Sequence, residues 1–354
     1  MSLTRDRAVM NWIAVFGCMA IILVVYGGFV RLTRSGLSIV EWNPVSGTLP
    51  PLSQDAWEAE FAKYQRTPEY QQINRGMSIS EYREIFLVEW LHRILARVAG
   101  FVFAVPFFVF IFTKRIPWRE SPAYVLMGVL FLSQAAMGWI MVSSGLVNRP
   151  SVSHFALAGH LFLALSLIGL SAWTWLGHRY RAPEALGRAG WSAASSATLA
   201  ALIGLLLQIG YGALTAGLKA GHVSNSWPQM LGRWVPGGLL SQVQPALRNL
   251  VDAPLTVAFI HRWLAFAALL VAFTAYRQIL RSPIAAEVRV PLGLVGVLGL
   301  AQIGLGIAVV LSSVDIVLAL LHQFNAICLF IAAVFLLHRL RSHDQSVGSS
   351  FAPG

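Results

Sequence analysis

Residues 89–112 read EWLHRILARVAGFVFAVPFFVFIF. After Arg97 no charge interrupts the run, and the apolar window it closes, 85–112, is long enough as a helix to cross roughly 30 Å of hydrocarbon. A backbone in lipid must satisfy its own hydrogen bonds, which makes such a segment an α-helix. Yet the same window opens on a carboxylate, Glu89, and an imidazole, His92. Ionisable groups at membrane depth mark metal, proton or substrate paths.

Seven further windows match it, near 9–32, 122–143, 155–177, 192–217, 256–279, 288–311 and 316–338. The chain is therefore expected to be an all-α integral membrane protein of about eight transmembrane helices. Its 354 residues are 56% hydrophobic and only 12% charged, and the mean hydropathy of +0.66 lies outside the range of soluble domains. A net charge of +11 invites a nucleic-acid reading, but the basic residues are scattered through short links and form no continuous face. Cys18 and Cys328 both sit in apolar runs, which argues against a disulfide or thiolate framework.

The scattered basic residues orient the chain instead. Arg5, Arg7, Lys114, Arg115, Arg119, Arg179, Arg181, Arg188, Arg277, Arg281, Arg289, Arg339 and Arg341 fall on alternate links, while 144–154 and 312–315 carry almost no charge. Both termini are then cytoplasmic. The first apolar run is too long for a cleaved signal, which favours a retained span in a bacterial cytoplasmic (inner) membrane. The long link from Arg34 to Glu84 lies outside and is expected to order as short helices.

This topology puts four histidines, His92, His160, His261 and His322, in one layer of the outer leaflet. The second half also echoes the first: Glu89-Trp90-Leu91-His92-Arg93 aligns with Ala258-Phe259-Ile260-His261-Arg262, Gln134 and Gly138 with Gln302 and Gly306, and Tyr26-Gly27 and Trp42 with Tyr211-Gly212 and Trp227. Each half has an even number of spans, so the repeats are parallel. Two pseudo-symmetric four-helix bundles are predicted, 1–185 and 186–354. A flat haem fits between facing helices of such a bundle, held by paired imidazoles, His92 with His160 and His261 with His322.

The repeat breaks where Glu89 meets Ala258 and Arg97 meets Phe266. Glu89 lies three residues before His92, about 4.5 Å along the axis, and an acid in lipid should hold its proton more tightly, which suits proton transfer. The first half is therefore expected to do chemistry and the second to hold a redox cofactor. Arg93 and Arg262 follow histidines directly and read equally well as partners of haem propionates or as snorkelling cations. Glycines 100, 138, 159, 212 and 306 fit close packing, Trp12, Trp42, Trp118, Trp139 and Trp173 an interfacial belt, and Glu41, Glu58, Glu60 and Glu69 a solvated loop. His154, His178, His222, His338 and His343 lie in or near links, where solvation is the default.

The stretch Gly27-Gly28-Phe29-Val30-Arg31-Leu32-Thr33-Arg34-Ser35-Gly36-Leu37-Ser38, followed by Trp42-Asn43-Pro44, resembles the first-helix signature of the haem A synthase family. Further matches are Gly47-Thr48-Leu49-Pro50-Pro51, Trp57, Glu60-Phe61, Tyr64, Pro68-Glu69-Tyr70, the Glu89 to Arg93 run, His160, Phe259-Ile260-His261-Arg262 and Leu320-Leu321-His322-Gln323. The long first outer loop is similar to that of the proteobacterial and mitochondrial subgroup. The resemblance implies a membrane oxidoreductase that converts the C8 methyl group of haem O to the formyl group of haem A, through an alcohol and a gem-diol, for terminal oxidases. It also implies haem b on His261 and His322, substrate porphyrin near His92 and His160, and Glu89 as the essential acid. Implied partners are haem O, haem A and an unidentified electron-transfer partner, with haem O synthase and oxidase assembly factors as further candidates. The cysteine pair of the other subgroup is missing here.

Two axial histidines fill an iron's coordination sphere, so either a ligand departs or the iron passes electrons while water attacks the oxidised methyl carbon. The second route is favoured, with Glu89 as base. Two other functions fit four histidines in a bundle: a di-haem electron-transfer cytochrome without substrate chemistry, and a transporter with parallel repeats. An outer-leaflet site suggests that the isoprenoid tail of haem O enters laterally through lipid.

Overall fold

The computed structural model describes residues 6–43, 46–146, 150–180, 191–286 and 288–350. Pro44, Arg5, Arg181, Arg188 and the boundary between residues 185 and 186 lie outside them. Among the described residues, eight helices are long and apolar enough to span a membrane: α1 (Arg7–Leu32), α4 (Ile79–Phe112), α5 (Ser121–Leu146), α6 (His154–Arg179), α7 (Ala193–Gly217), α9 (Pro254–Leu280), α10 (Arg289–Leu311) and α11 (Ile316–Ser350). Three shorter helices, α2 (Gln54–Tyr64), α3 (Pro68–Gln72) and α8 (Asn249–Asp252), belong to the connections. The chain is an all-α multi-pass membrane protein. Large apolar side chains such as Phe101, Phe112, Leu132 and Leu300 point out of the bundle and form the surface that lipid covers.

Local chemistry sets the helix ends. The Asp6 carboxylate accepts from the amides of Ala8 and Val9 at the start of α1, and Ser153 and Ser192 cap α6 and α7. Ser78 and Glu81 form a reciprocal capping box, so α4 begins at Ile79 and residues 79–84 are its first turns. These residues belong to α4 and not to the loop expected up to Glu84, because its polar first turns stand clear of the apolar window.

The first four and last four spans share most of their neighbour order, except that α4 packs on α5 whereas α9 and α10 barely touch. In the first, α1 packs on α4 and α6, and α5 packs on α6; in the second, α7 packs on α9 and α11, and α10 packs on α11. The halves meet where α6 touches α7 and α11 and where α1 touches α11. This seam is tight, for a Cβ on Gly169 would stand 3.0 Å from the Phe330 ring. Half of the α11 membrane window is buried, against none for α10. The last helix is a central post, and α10 is a peripheral stave.

All four histidine-bearing helices, α4, α6, α9 and α11, start at the end of the bundle that carries the long connections 33–78 and 218–253. The first connection folds over an aromatic cluster of Tyr64, Tyr82 and Phe86 with Trp57, Phe61 and Tyr70. The second is organised by buried Asn249, whose side chain accepts from the amides of Gln242 and Val243 and donates to the carbonyls of Val243 and Ala246.

Three histidines expected to be solvated are buried instead. His154 places Nε2 2.8 Å from Asp252 Oδ1 and so joins α6 to α8 across the two halves. His178 shares a hydrogen bond with Tyr124 at 2.6 Å, and His338 lies edge-on to Trp173. Each sits on a helix flank turned towards a neighbour, which position in the sequence alone did not reveal.

Candidate functional site

Each histidine of the repeated layer lies against a glycine of a neighbouring helix. A Cβ built on Gly27 would be 3.3 Å from His92 Nε2, and on Gly212 3.1 Å from His261 Cε1. The same test gives 3.7 Å from Gly138 to His160 Cε1 and 3.1 Å from Gly306 to His322 Cε1. These glycines let a flat ring pass a helix backbone. They are the Gly27/Gly212 and Gly138/Gly306 pairs of the sequence repeat.

Glutamines hold several of these elements in place. Gln208 Nε2 lies 3.1 Å from His261 Nδ1 and donates to the His261 carbonyl, Gln302 Nε2 lies 3.2 Å from His322 Nδ1, and Asn325 donates to Gln302 Oε1 at 2.7 Å. Gln134 donates to the His160 carbonyl at 3.1 Å. His160 Nδ1 is buried without a partner in the structure. His92 and His160 lie close enough to interact electrostatically, as do His261 and His322.

All four histidines and Glu89 line one cavity of about 1570 Å³ that runs through both halves. Ordinary small-molecule pockets hold roughly 300–1,000 Å³. The sequence suggested two bundle sites; the structure joins their interiors. Its walls are mostly Ala, Gly, Leu, Val and Ile, with Arg31, Arg93, Arg97, Lys219 and Arg262 among the basic groups. An apolar cavity lined by four imidazoles, each seated against a glycine, with one buried ring nitrogen left without a partner, suits a porphyrin. Among the described residues no group of three or more His, Cys, Asp or Glu side chains is placed to hold a bare metal ion.

Glu89 is not the bare acid that its position in an apolar window suggested. Oε2 accepts from the Ser38 amide at 2.9 Å, the Ser38 hydroxyl at 2.7 Å and the Ile39 amide at 2.9 Å, while Oε1 accepts from Arg93 Nε at 3.2 Å and Nη2 at 2.7 Å. Five donors surround two oxygens that offer about four lone-pair sites, the partner set of a carboxylate. The burial cost of the charge is thereby offset.

Arg93 donates as well to the carbonyls of Ile39 and Glu41, and its guanidinium lies 5.3 Å from the Trp42 ring centroid. The Arg93 side chain is thus spent on the loop and on Glu89, and Trp42 covers Arg93 where an interfacial anchor was expected. Arg97 donates to the Asn43 carbonyl at 2.9 Å. Residues 89, 93 and 97 recur every fourth position and share one helix face, so α4 grips residues 38–43 along its length. In the second half Arg262 donates to the carbonyls of Ser224 and Ser226, which stand to Trp227 as Ile39 and Glu41 stand to Trp42. There Ala258 and Phe266 replace the other two grips. Arg93 and Arg262 line the cavity, but their observed partners are loop carbonyls and, for Arg93, the Glu89 carboxylate.

Sequence reasoning missed Ser38, Arg31, Lys219 and Glu69. Arg31 donates across the halves to the Ala216 carbonyl at 3.1 Å. Lys219 follows α7 in a left-handed conformation, φ 54°, and burial with nearby Arg34 lowers its pKa. Glu69, read as solvated, is 5% exposed. No local pattern announces these contacts, since their partners are distant in sequence.

This arrangement of paired histidines, loop-clamped acid and shared cavity extends over nearly the whole chain. So does the match, over residues 10–334, to the COX15-CtaA family of cytochrome oxidase assembly proteins. The chain belongs to this family. Among similar curated relatives, a protein of Agrobacterium fabrum named heme A synthase is 43% identical over 332 residues, covering 92% of this chain and 88% of the relative. Proteins of the same name from Parvibaculum lavamentivorans, 39% identical over 343 residues, and Wolbachia pipientis, 40% identical over 343 residues, each cover 95% of this chain and 95% and 98% of their own lengths.

Proposed function

We propose that this chain is a haem A synthase, oxidising the C8 methyl group of haem O to the formyl group of haem A. The observation that carries this reading is the asymmetry around Glu89: the first half sets a clamped carboxylate in the cavity near His92 and His160, and the second half has Ala258 there. In this reading residues 1–185 form the substrate half and residues 186–354 the haem b half, with His261 and His322 as axial ligands. Bound haem b supplies one-electron transfer to an acceptor outside the chain.

The chain's own groups do the rest. His92 and His160 would hold the substrate porphyrin in the part of the cavity that Glu89 also lines. The Glu89 charge stabilises the positive charge that develops as electrons leave the porphyrin. The Ser38 hydroxyl lies 2.7 Å from Glu89 Oε2 and 3.2 Å from the Ile85 carbonyl. It can rest on Ile85 while a water takes its place on the carboxylate, ready to attack. Arg93 keeps Glu89 aimed at that water.

The basic links at the opposite end of the bundle support cytoplasmic termini in a bacterial inner membrane, with the histidine layer towards the outer leaflet. The test is co-expression with a haem O source and mass spectrometry of extracted porphyrins. Wild-type protein should yield a product in which one oxygen has replaced two hydrogens. Glu89→Ala should yield none while the protein stays red with low-spin haem, and His261→Ala should lose that absorbance. A red protein that never changes haem O would instead be an electron-transfer cytochrome.

A further inference from the structure

Glu69 is the second buried acid at this end of the molecule. It sits in the first turn of α3, after the Thr67 cap and Pro68. Its Oε2 is buried and has no hydrogen-bond partner, and among the described residues no cation closes an ion pair with it. The charged groups it feels come from three other elements: Glu89 of α4, Arg34 after α1 and Lys219 after α7. Tyr64 of α2 in turn feels Glu69. Lys219 and Glu89 line the cavity, whereas Glu69 is not among its lining residues.

The two acids are complementary. Every lone pair of Glu89 is taken, so a proton released beside it has no lasting place there. Glu69 has an unfilled oxygen nearby, on the loop side of the cavity. We propose that Glu69 is the proton-exit group of this site, taking up as a carboxylate the proton that leaves the Glu89 pocket and passing it to water beyond the loop. In this step an O–H bond of the attacking water breaks, its electron pair stays on that oxygen, and an O–H bond forms on Glu69. No electron is transferred, and a second proton transfer to bulk water restores the carboxylate.

A purely structural acid at a helix start would serve the helix dipole. That role needs no burial, and α3 has only five residues. Burial, with repulsion from Glu89, pushes the Glu69 carboxyl up to about 7. It therefore changes charge near neutrality, as an exchange group should.

This inference rests on Glu89 being the acid of the reacting site, so both positions are tested in the full-length membrane protein. Haem O turnover is followed from pH 5.5 to 8.5 in wild type, Glu69→Gln, Glu69→Asp and Glu89→Ala. The wild-type rate should fall as pH drops through about 7. Glu69→Gln should be slower by roughly tenfold or more and lose that acid limb, with KM and haem b content unchanged. Glu69→Asp should restore a limb at a shifted pH.

A second readout is independent of turnover. Infrared titration of the protein should show a protonated carboxyl band that disappears with a midpoint near pH 7 and is missing from Glu69→Gln. Wild-type rate and an unchanged acid limb in Glu69→Gln would overturn the role of Glu69, even with Glu89→Ala inactive. Activity in Glu89→Ala would overturn the underlying assignment instead. If Glu69→Gln fails to fold, an unaltered limb in Glu69→Asp overturns the proposal.

Discussion

The hydroxyl of Ser38 and the carboxylate of Glu89 meet across 51 residues of chain, and that distance explains what could be read beforehand. Glu89 was legible because the repeat supplies a comparison, Ala258, at the matching place. Ser38 and Glu69 had no such comparison, and acids and serines in a polar loop usually face water. Burial of Glu69 has a cost with a definite sign. Its folded pKa of about 7 exceeds the usual carboxylate value, so stability is full below pH 4.5 and is lost as pH rises through 7. Replacing it by Gln should raise the melting temperature at pH 8, by the equivalent of a few kcal/mol at most, and leave it unchanged at pH 4.5. Calorimetry in detergent at the two pH values checks this, and an equal effect at both would show that the charge is not responsible.

At the scale of elements, the helices announced themselves through their apolar windows, and observed ends fall close to the expected ones wherever the flanking turn is apolar. What the windows could not give is which face each helix turns inward. Glycine placement supplies part of that information. Gly212 brings its backbone against His261, whereas Gly293 on α10 has nothing within 4 Å of a built Cβ. Gly212→Ala should therefore crowd the imidazole, costing about 1–3 kcal/mol and lowering haem content. Gly293→Ala should leave haem content unchanged and stiffen α10, with up to about 1 kcal/mol gained from helix propensity. Absorbance per mole of purified protein separates the two, and equal loss in both would mean that His261 is not the group being disturbed.

Across the whole molecule the halves are stitched at several depths. Arg31 reaches Ala216, Gln323 Nε2 donates to the Val24 carbonyl at 2.7 Å, and His154 meets Asp252. Towards the opposite end Trp173 meets His338 and Tyr180 stacks on Phe335 at 5.9 Å. Parallel repeats alone would have allowed the rocking of a transporter; these ties oppose it. A covalent crosslink between α1 and α11 should leave turnover at more than half its normal rate, while one between α9 and α10 should stop haem loading. The reverse result would place the moving joint between the halves. Helices α9 and α10 barely touch, and a Cβ on Gly293, Gly296 or Gly299 of α10 would meet nothing within 4 Å. Mechanically, the molecule is a braced frame with one unlaced edge. Such a frame should yield first at that edge, and the rate at which the two staves part should follow the stiffness of the surrounding bilayer.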